Sequence, residues 1–211
     1  MVLSLIVSYL IGAIPFGYVV GRLHRGIDVR KHGSGNIGAT NVLRVMGPLP
    51  AFLVLLGDFA KGAIATLWGF KVGGPPMAAV CGVAAVLGGH WSVFLRFGGG
   101  KGIAVSTGAA TVLMPRAVLI LAAIWAIIVA LTRYVSLGSV TIAVLFPFIA
   151  WGLGGPREYL PASILIALLV IYKHRSNIRR LIAGKEYKLG QKVDSAPSRN
   201  TSGNNSGREK K

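Results

Sequence analysis

Acidic residues are scarce in this chain. There are six, Asp28, Asp58, Glu158, Glu186, Asp194 and Glu209, against 23 Lys and Arg. Catalysis by paired carboxylates therefore has little to draw on. Cysteine is scarcer still, since Cys81 stands alone inside an apolar run and supports neither a disulfide nor a metal site. No H-x-x-x-x-D, H-E-x-x-H or G-x-S-x-G motif occurs. Charge of either sign is thin: 14% of residues, where a soluble domain carries about 25%. An enzyme with this composition works mainly by binding and aligning reactants that already carry a good leaving group.

What the chain has is apolar length. Hydrophobic residues make up 53% of it, concentrated in runs at 2–20, 49–70, 76–95, 117–132 and 136–153. A membrane-spanning helix needs about 20 such residues, fewer at the short end. No alternating strand pattern accompanies them, so an all-α helical bundle is expected and a barrel is excluded. Residues 2–20 lack a basic leader and a cleavage site, and read as a retained first span. Residues 103–132 are too long for one straight crossing and are interrupted at Met114-Pro115-Arg116, which predicts two helices there. With a crossing at 160–173, about seven membrane helices follow. A five-span arrangement with 103–114 or the later segments re-entrant is the alternative. Residues 1–192 read as one transmembrane domain. The polar stretch 193–211, native or appended, is expected to be disordered.

The net charge of +17 is sorted by loop. Segments 21–47, 96–101, Arg133 and 173–192 hold 5, 2, 1 and 7 of the Lys and Arg. Such sorting sets membrane orientation and removes the need for nucleic acid as a partner. It predicts the N-terminus outside, and the basic loops and C-terminus inside. Asp58 and Lys61 lie within a span, three residues apart, and are expected to pair structurally. His90 is expected to pack or hydrogen-bond, and His24 and His32 to lie at the surface.

Four polar segments interrupt the apolar runs. The first is Gly33-Ser34-Gly35-Asn36-Ile37-Gly38-Ala39-Thr40-Asn41, with Arg44 beyond it. Glycines let backbone N–H groups approach an anion, and a following helix start adds its dipole. Arg44 offers a bidentate clamp for phosphate. The second is Gly98-Gly99-Gly100-Lys101-Gly102. It departs from the nucleotide P-loop at Phe97 and Gly102, which disfavours a nucleotide triphosphatase, yet a glycine nest with one lysine suits a monophosphate or acyl phosphate. The third is Arg133-Tyr134-Val135-Ser136-Leu137-Gly138-Ser139, where interfacial anchoring is an equal reading. The fourth is His174-Arg175-Ser176-Asn177-Ile178-Arg179-Arg180-Leu181, followed by Gly184-Lys185-Glu186. His174 and Asn177 share a helix face, and the arginines alternatively serve anionic lipid headgroups.

In their order and their shared membrane face, these four segments, with Gly89-His90-Trp91 ahead of the second, resemble the bacterial acyl-phosphate-dependent glycerol-3-phosphate acyltransferases. The resemblance covers about residues 1–190. It implies a multi-pass enzyme of the bacterial inner membrane with its active site facing the cytoplasm. That enzyme would move an acyl group from acyl phosphate to the 1-hydroxyl of glycerol-3-phosphate, giving lysophosphatidate and phosphate, with no cofactor and no metal. The residues expected to carry catalysis are His174, Asn177, Lys101 and Ser34. Those expected to bind substrate are Gly33, Gly35, Asn36, Asn41, Arg44, Gly99, Gly100, Ser136 and Ser139. Arg44, Lys101, His174 and Asn177 would hold the glycerol phosphate. Ser34, Gly99, Gly100, Ser136 and Ser139 would cradle the acyl phosphate, whose chain needs a lipid-facing groove. The proton acceptor is His174 or a phosphate oxygen of the donor. A transporter of phosphate or of a phosphorylated solute is the alternative, although no internal repeat supports it. A lipid-binding scaffold would account for the basic C-terminus alone.

Overall fold

The computed structural model describes residues 1–191. The stretch expected to be disordered, 193–211, lies outside the described residues. Regular structure among the described residues is helical, with one isolated bridge between Ser92 and Gly98.

The first apolar run is broken where one helix over 2–20 was expected. α1 covers Val2–Ala13 and α2 covers Phe16–Arg25. Pro15 has no N–H to continue the ladder and forces Ile14 into an extended conformation, at φ −55° and ψ 118°. α2 also runs past Gly21, where the span was expected to end, and stops at Gly26 in a left-handed conformation. The loop that follows leads to α3, Ala39–Met46, and then to α4, Pro48–His90.

α4 has 43 residues, about 65 Å at helical rise, too long for one crossing. It is two arms that meet at Gly73 and Gly74, whose backbone leaves the helical region. Pro75 and Pro76 open the second arm, where a missing N–H costs nothing. That arm ends at His90, short of the expected 95. Residues 92–98 fold instead into a tight turn closed by Ser92 and Gly98, with Arg96 and Phe97 at φ 53° and 60°.

The expected interruption at Pro115 is present. α5 covers Ile103–Leu113 and α6 covers Pro115–Thr132. α7, Val135–Leu153, α8, Tyr159–Lys173, and α9, Arg175–Ile182, follow. Among the described residues, four helical stretches are long and apolar enough to cross a membrane: Val2–Arg25, Pro48–His90, Pro115–Thr132 and Val135–Leu153. α5 and α8 are shorter apolar helices.

The packing suits a lipid solvent. Large apolar side chains such as Leu119, Leu131, Phe148 and Trp151 point outward, while the interior is rich in alanine and glycine. Helices in lipid gain nothing from hiding leucine, so close backbone approach between small residues holds them together. A methyl group added at Gly62 would stand 2.0 Å from the Val105 carbonyl, and one at Gly108 would stand 2.0 Å from that of Phe59. The first arm of α4 and α5 therefore touch backbone to backbone, which fixes where α5 begins, just after Lys101.

Candidate active site

The loop between α2 and α3 is built around one amide. Asn41 is buried, and its Oδ1 accepts from the Ser34 N–H at 2.8 Å. Its Nδ2 donates to the carbonyls of Asn36 at 2.8 Å, His32 at 3.1 Å and Val29 at 3.3 Å. Every polar valence of the side chain goes to the loop itself. Gly33 makes this possible, at φ 59°, since a Cβ there would lie 2.3 Å from Asn41 Oδ1. The Asn36 side chain turns back to accept from Gly38 N–H at 2.8 Å.

The glycine segment lies against the end of α4. Gly100 N–H donates to the Gly89 carbonyl at 3.0 Å. Gly99 fits because a Cβ there would meet the His90 carbonyl at 2.5 Å. His90 is fully buried, with Nδ1 2.7 Å from the Val86 carbonyl. Lys173 at the end of α8 donates to the His90 carbonyl and lies over the Trp91 ring at 4.3 Å. Lys101 follows in a half-buried position. Burial lowers its pKa to about 8, Glu186 opposes the shift, and Arg180 and Arg44 add to it.

His174 is the hinge between α8 and α9. Its Nδ1 lies 2.8 Å from the Val170 carbonyl, which can only accept. The proton of the neutral ring is therefore on Nδ1, and Nε2 keeps its lone pair. Burial, with the Lys101 charge behind it, pushes the pKa down to about 4, so the ring is neutral near pH 7. Asn177 donates to Glu186 Oε1 at 2.6 Å, and its Oδ1 is buried with no partner among the described residues. Ser136 donates to the same Oε1 at 2.9 Å, and Arg180 pairs with Oε2 at 2.7 Å. Burial alone would raise the Glu186 pKa. The hydrogen bonds from Asn177, Arg180 and Ser136 outweigh it and hold the carboxyl below its usual range. Arg44 donates to the Tyr187 carbonyl at 3.5 Å, and its Nε is buried with no partner among the described residues.

These pieces enclose a polar cleft of about 440 Å³. Ser34, Gly35, Asn36 and Lys101 form one side, and Lys173, Arg175, Ser176, Arg179 and Arg180 the other. A second cavity, about 430 Å³ and almost wholly apolar, lies between the first arm of α4 and α5 to α8. Its lining includes Ile103, two residues after Lys101, and Val170, whose carbonyl holds His174. Phe52, Phe59, Leu121, Ala143 and Phe146 also line it.

The family model for glycerol-3-phosphate acyltransferases matches residues 2–184. Glycerol-3-phosphate acyltransferase 2 of Moorella thermoacetica is 46% identical over 90% of this chain and 98% of its own length. The glycerol-3-phosphate acyltransferase of Desulforudis audaxviator is 49% identical over 88% and 94%. The crystal structure of PlsY, an integral membrane glycerol 3-phosphate acyltransferase, superposes in its glycerol 3-phosphate form with a TM-score of 0.86. Identity there is 39%, over 90% of this chain and 95% of that one. The lysophosphatidic acid form gives a TM-score of 0.84 at the same identity and coverage. The chain belongs to the glycerol-3-phosphate acyltransferase family.

As an integral membrane acyltransferase, it brings only part of the expected residue set to the cleft. Ser34, Gly35, Asn36 and Lys101 line it. Arg44, His174 and Asn177 stand beside it, linked through Tyr187 and Glu186 or by the charge of Lys101. Asn41, Gly33 and Gly99, expected as substrate contacts, shape the loops instead, because their surroundings are filled by the chain itself. Gly100 has no atom of the chain closer than 3.6 Å to an added Cβ and remains open. Ser136 anchors Glu186, and Ser139 donates to the Val135 carbonyl of its own helix and does not line the cleft.

Residues without an expected role also gather here. Glu186 is the hub of the fourth segment, bonded to Ser136, Asn177 and Arg180. Arg175, Ser176, Arg179 and Arg180, in the fourth segment but given no role in the site, with lipid headgroups the alternative for the arginines, face the cleft. The signal was present: 175 and 179, and 176 and 180, are one helical turn apart on a single face.

Proposed function

We propose that this acyltransferase moves a fatty acyl group from acyl phosphate to the 1-hydroxyl of sn-glycerol-3-phosphate, releasing lysophosphatidate and inorganic phosphate as the first step of phospholipid synthesis. One observation carries the reading: Lys101 lines a cationic cleft and Ile103, two residues on, lines an apolar groove. A molecule with a phosphate head and a long acyl tail fits both at once. The cleft also offers cation enough for a second phosphate, that of the acceptor.

The acyl carbon of a mixed anhydride needs no enzyme nucleophile. The glycerol hydroxyl attacks it, a C–O bond forms, and the bond from the acyl carbon to the bridging phosphate oxygen breaks. Lys101, Arg44 and the arginines of α9 disperse the charge that grows on the departing phosphate. The Ser34 hydroxyl, with Gly35 and Asn36 beside it on the cleft wall, holds the donor phosphate. His174 Nε2 accepts a hydrogen bond from the attacking hydroxyl and orients it, with Asn177 Oδ1 beside it. A ring with a pKa of about 4 is a weaker base than a phosphate, whose second pKa is about 6, so the proton leaves with inorganic phosphate.

The same reading sets residues 1–192 in the bacterial inner membrane as one domain of seven membrane helices, with the N-terminus outside and the cleft facing the cytoplasm. The α1–α2 run, the two arms of α4, and α5 to α8 supply those helices. Bonds at one end of the bundle support the orientation. Arg133 and Leu189 exchange hydrogen bonds, and Arg44 and Ser136 reach Tyr187 and Glu186, so the basic segments share a face.

The test is purified protein given acyl phosphate and glycerol-3-phosphate, with phosphate and lysophosphatidate followed together. Equal amounts of both are expected, with neither in the absence of acceptor. Phosphate released without lysophosphatidate, or glycerol-3-phosphate crossing sealed vesicles unmodified, would replace the transferase with a hydrolase or a transporter.

A further inference from the structure

A buried ion pair inside the first arm of α4 touches neither cavity. Lys61, 4% exposed, pairs with Asp58 at 2.8 Å. The rest of its contacts lie on the broken first helix. Its Nζ donates to the Ile14 carbonyl at 2.7 Å and lies 5.8 Å from the Phe16 ring centre.

In an unbroken helix the Ile14 carbonyl would accept from the Tyr18 N–H. Here Tyr18 N–H goes to Pro15 O at 3.0 Å. The Ile14 carbonyl accepts instead from the Phe16 N–H at 3.1 Å and from Lys61, and Ser92 donates to the neighbouring carbonyl of Ala13 at 2.6 Å. In a membrane, carbonyls freed by a proline must find other donors, and local changes of the ladder and side chains of neighbouring helices supply them. The break is thus a joint whose angle is held from outside.

The joint aims α2, and α2 carries the phosphate loop. Gly57, one turn before Lys61, gives way to Phe16 at the start of α2, since a Cβ there would lie 2.4 Å from the ring. Gly17 lies so close under Ile37 that a Cβ would stand 1.7 Å from the Ile37 carbonyl. Ile37 follows Asn36 in the loop and is 3.6 Å from the Cβ position of Gly100 in the second loop. A change in the angle at Pro15 therefore moves Ile37, and with it Ser34 and Asn36.

We propose that Lys61, held by Asp58, is a positioning residue: it caps the Ile14 carbonyl at the break of the first membrane helix and so sets the loop that binds the donor phosphate. This rests on the assignment of that loop to acyl phosphate, and a separate variant tests the assignment. Ser34→Ala should raise the KM for acyl phosphate. If it does not, the loop assignment fails whatever Lys61 does.

The proposal itself is tested by the double variant Asp58→Asn with Lys61→Met, which removes both charges together and leaves no lone buried ion. The expected result is a roughly tenfold rise in KM for acyl phosphate, with kcat and the KM for glycerol-3-phosphate within about twofold of the parent. Lys61→Arg keeps a donor and the ion pair, and should leave all three constants within about threefold. Unchanged KM for acyl phosphate in the double variant would overturn the proposal. So would a double variant that cannot be extracted folded, or one in which kcat and both KM values deteriorate together. Either of these assigns the pair to the bundle as a whole.

Discussion

Lys101 is held between opposing influences. Burial strips its solvent and pulls the pKa down to about 8, while Glu186 nearby favours the cation. Only the protonated form can bind a phosphate, so the free enzyme should lose kcat/KM as pH rises through about 8. Lys101→Arg should push that alkaline limb out of range, because a guanidinium stays charged. Lys101→Ala should cost about 10²-fold or more in kcat/KM at neutral pH without lowering the melting temperature. A folded Lys101→Ala protein with full activity would remove the residue from the site. Glu186 makes the complementary case. Its folded pKa lies below the unfolded value, so the stability it contributes is present above that unfolded value and is lost as pH falls through the folded one. Glu186→Gln should therefore destabilise by about 1–3 kcal/mol near neutral pH, and the difference from the parent should close in acid. Thermal melts across that range check the sign. Glu186 was hard to single out beforehand because one carboxylate among basic residues reads as charge balance. Its hydrogen bonds to Ser136, 50 residues away, appear only when α7 and α9 meet.

At the scale of the helix, the contact between the first arm of α4 and α5 decides where the glycine segment ends. Gly62 and Gly108 meet carbonyls of the facing helix at distances that exclude a methyl group. Gly108→Ala should force the pair apart, at a cost of about 1–3 kcal/mol. It should also lower kcat, because α5 starts right after Lys101 and Gly102. Melting temperature and turnover measured on the same preparation should fall together, whereas an exposed control such as Leu119→Ala should alter neither. Elements of this kind were partly legible in the sequence. Hydropathy located the apolar runs, and Pro115 marked the division between α5 and α6. The break at Pro15 was missed because hydropathy does not register a missing N–H in the middle of an apolar run. The early end of the second arm at His90 was missed for a related reason: residues 91–95 are apolar, but they serve a turn whose partner, Gly98, comes later in the chain.

At the scale of the whole molecule, the proposed function spans two solvents. A cation-lined cleft would take the phosphates, and a groove among five helical segments would take the acyl chain. The motifs made the polar half legible, as loops with phosphate-binding chemistry. The apolar half had no local signature, since its lining comes from α4, α5, α6, α7 and α8 at once and each contributor looks like any lipid-facing residue. That difference leads to a prediction about chain length. Ala143 is buried, lines the groove and lies about 10 Å of helix beyond Ser136 on α7. Ala143→Phe should fill that part of the groove without touching the cleft. A long donor such as palmitoyl phosphate should then lose kcat/KM by about tenfold or more, since each buried methylene denied the groove forfeits about 0.8 kcal/mol. Octanoyl phosphate, whose chain reaches half as far along the groove, should be used almost as well as by the parent. KM for glycerol-3-phosphate should stay unchanged for both donors. An equal loss for the two chain lengths would mean that the substitution acts through the fold, and that the chain runs into lipid along another path.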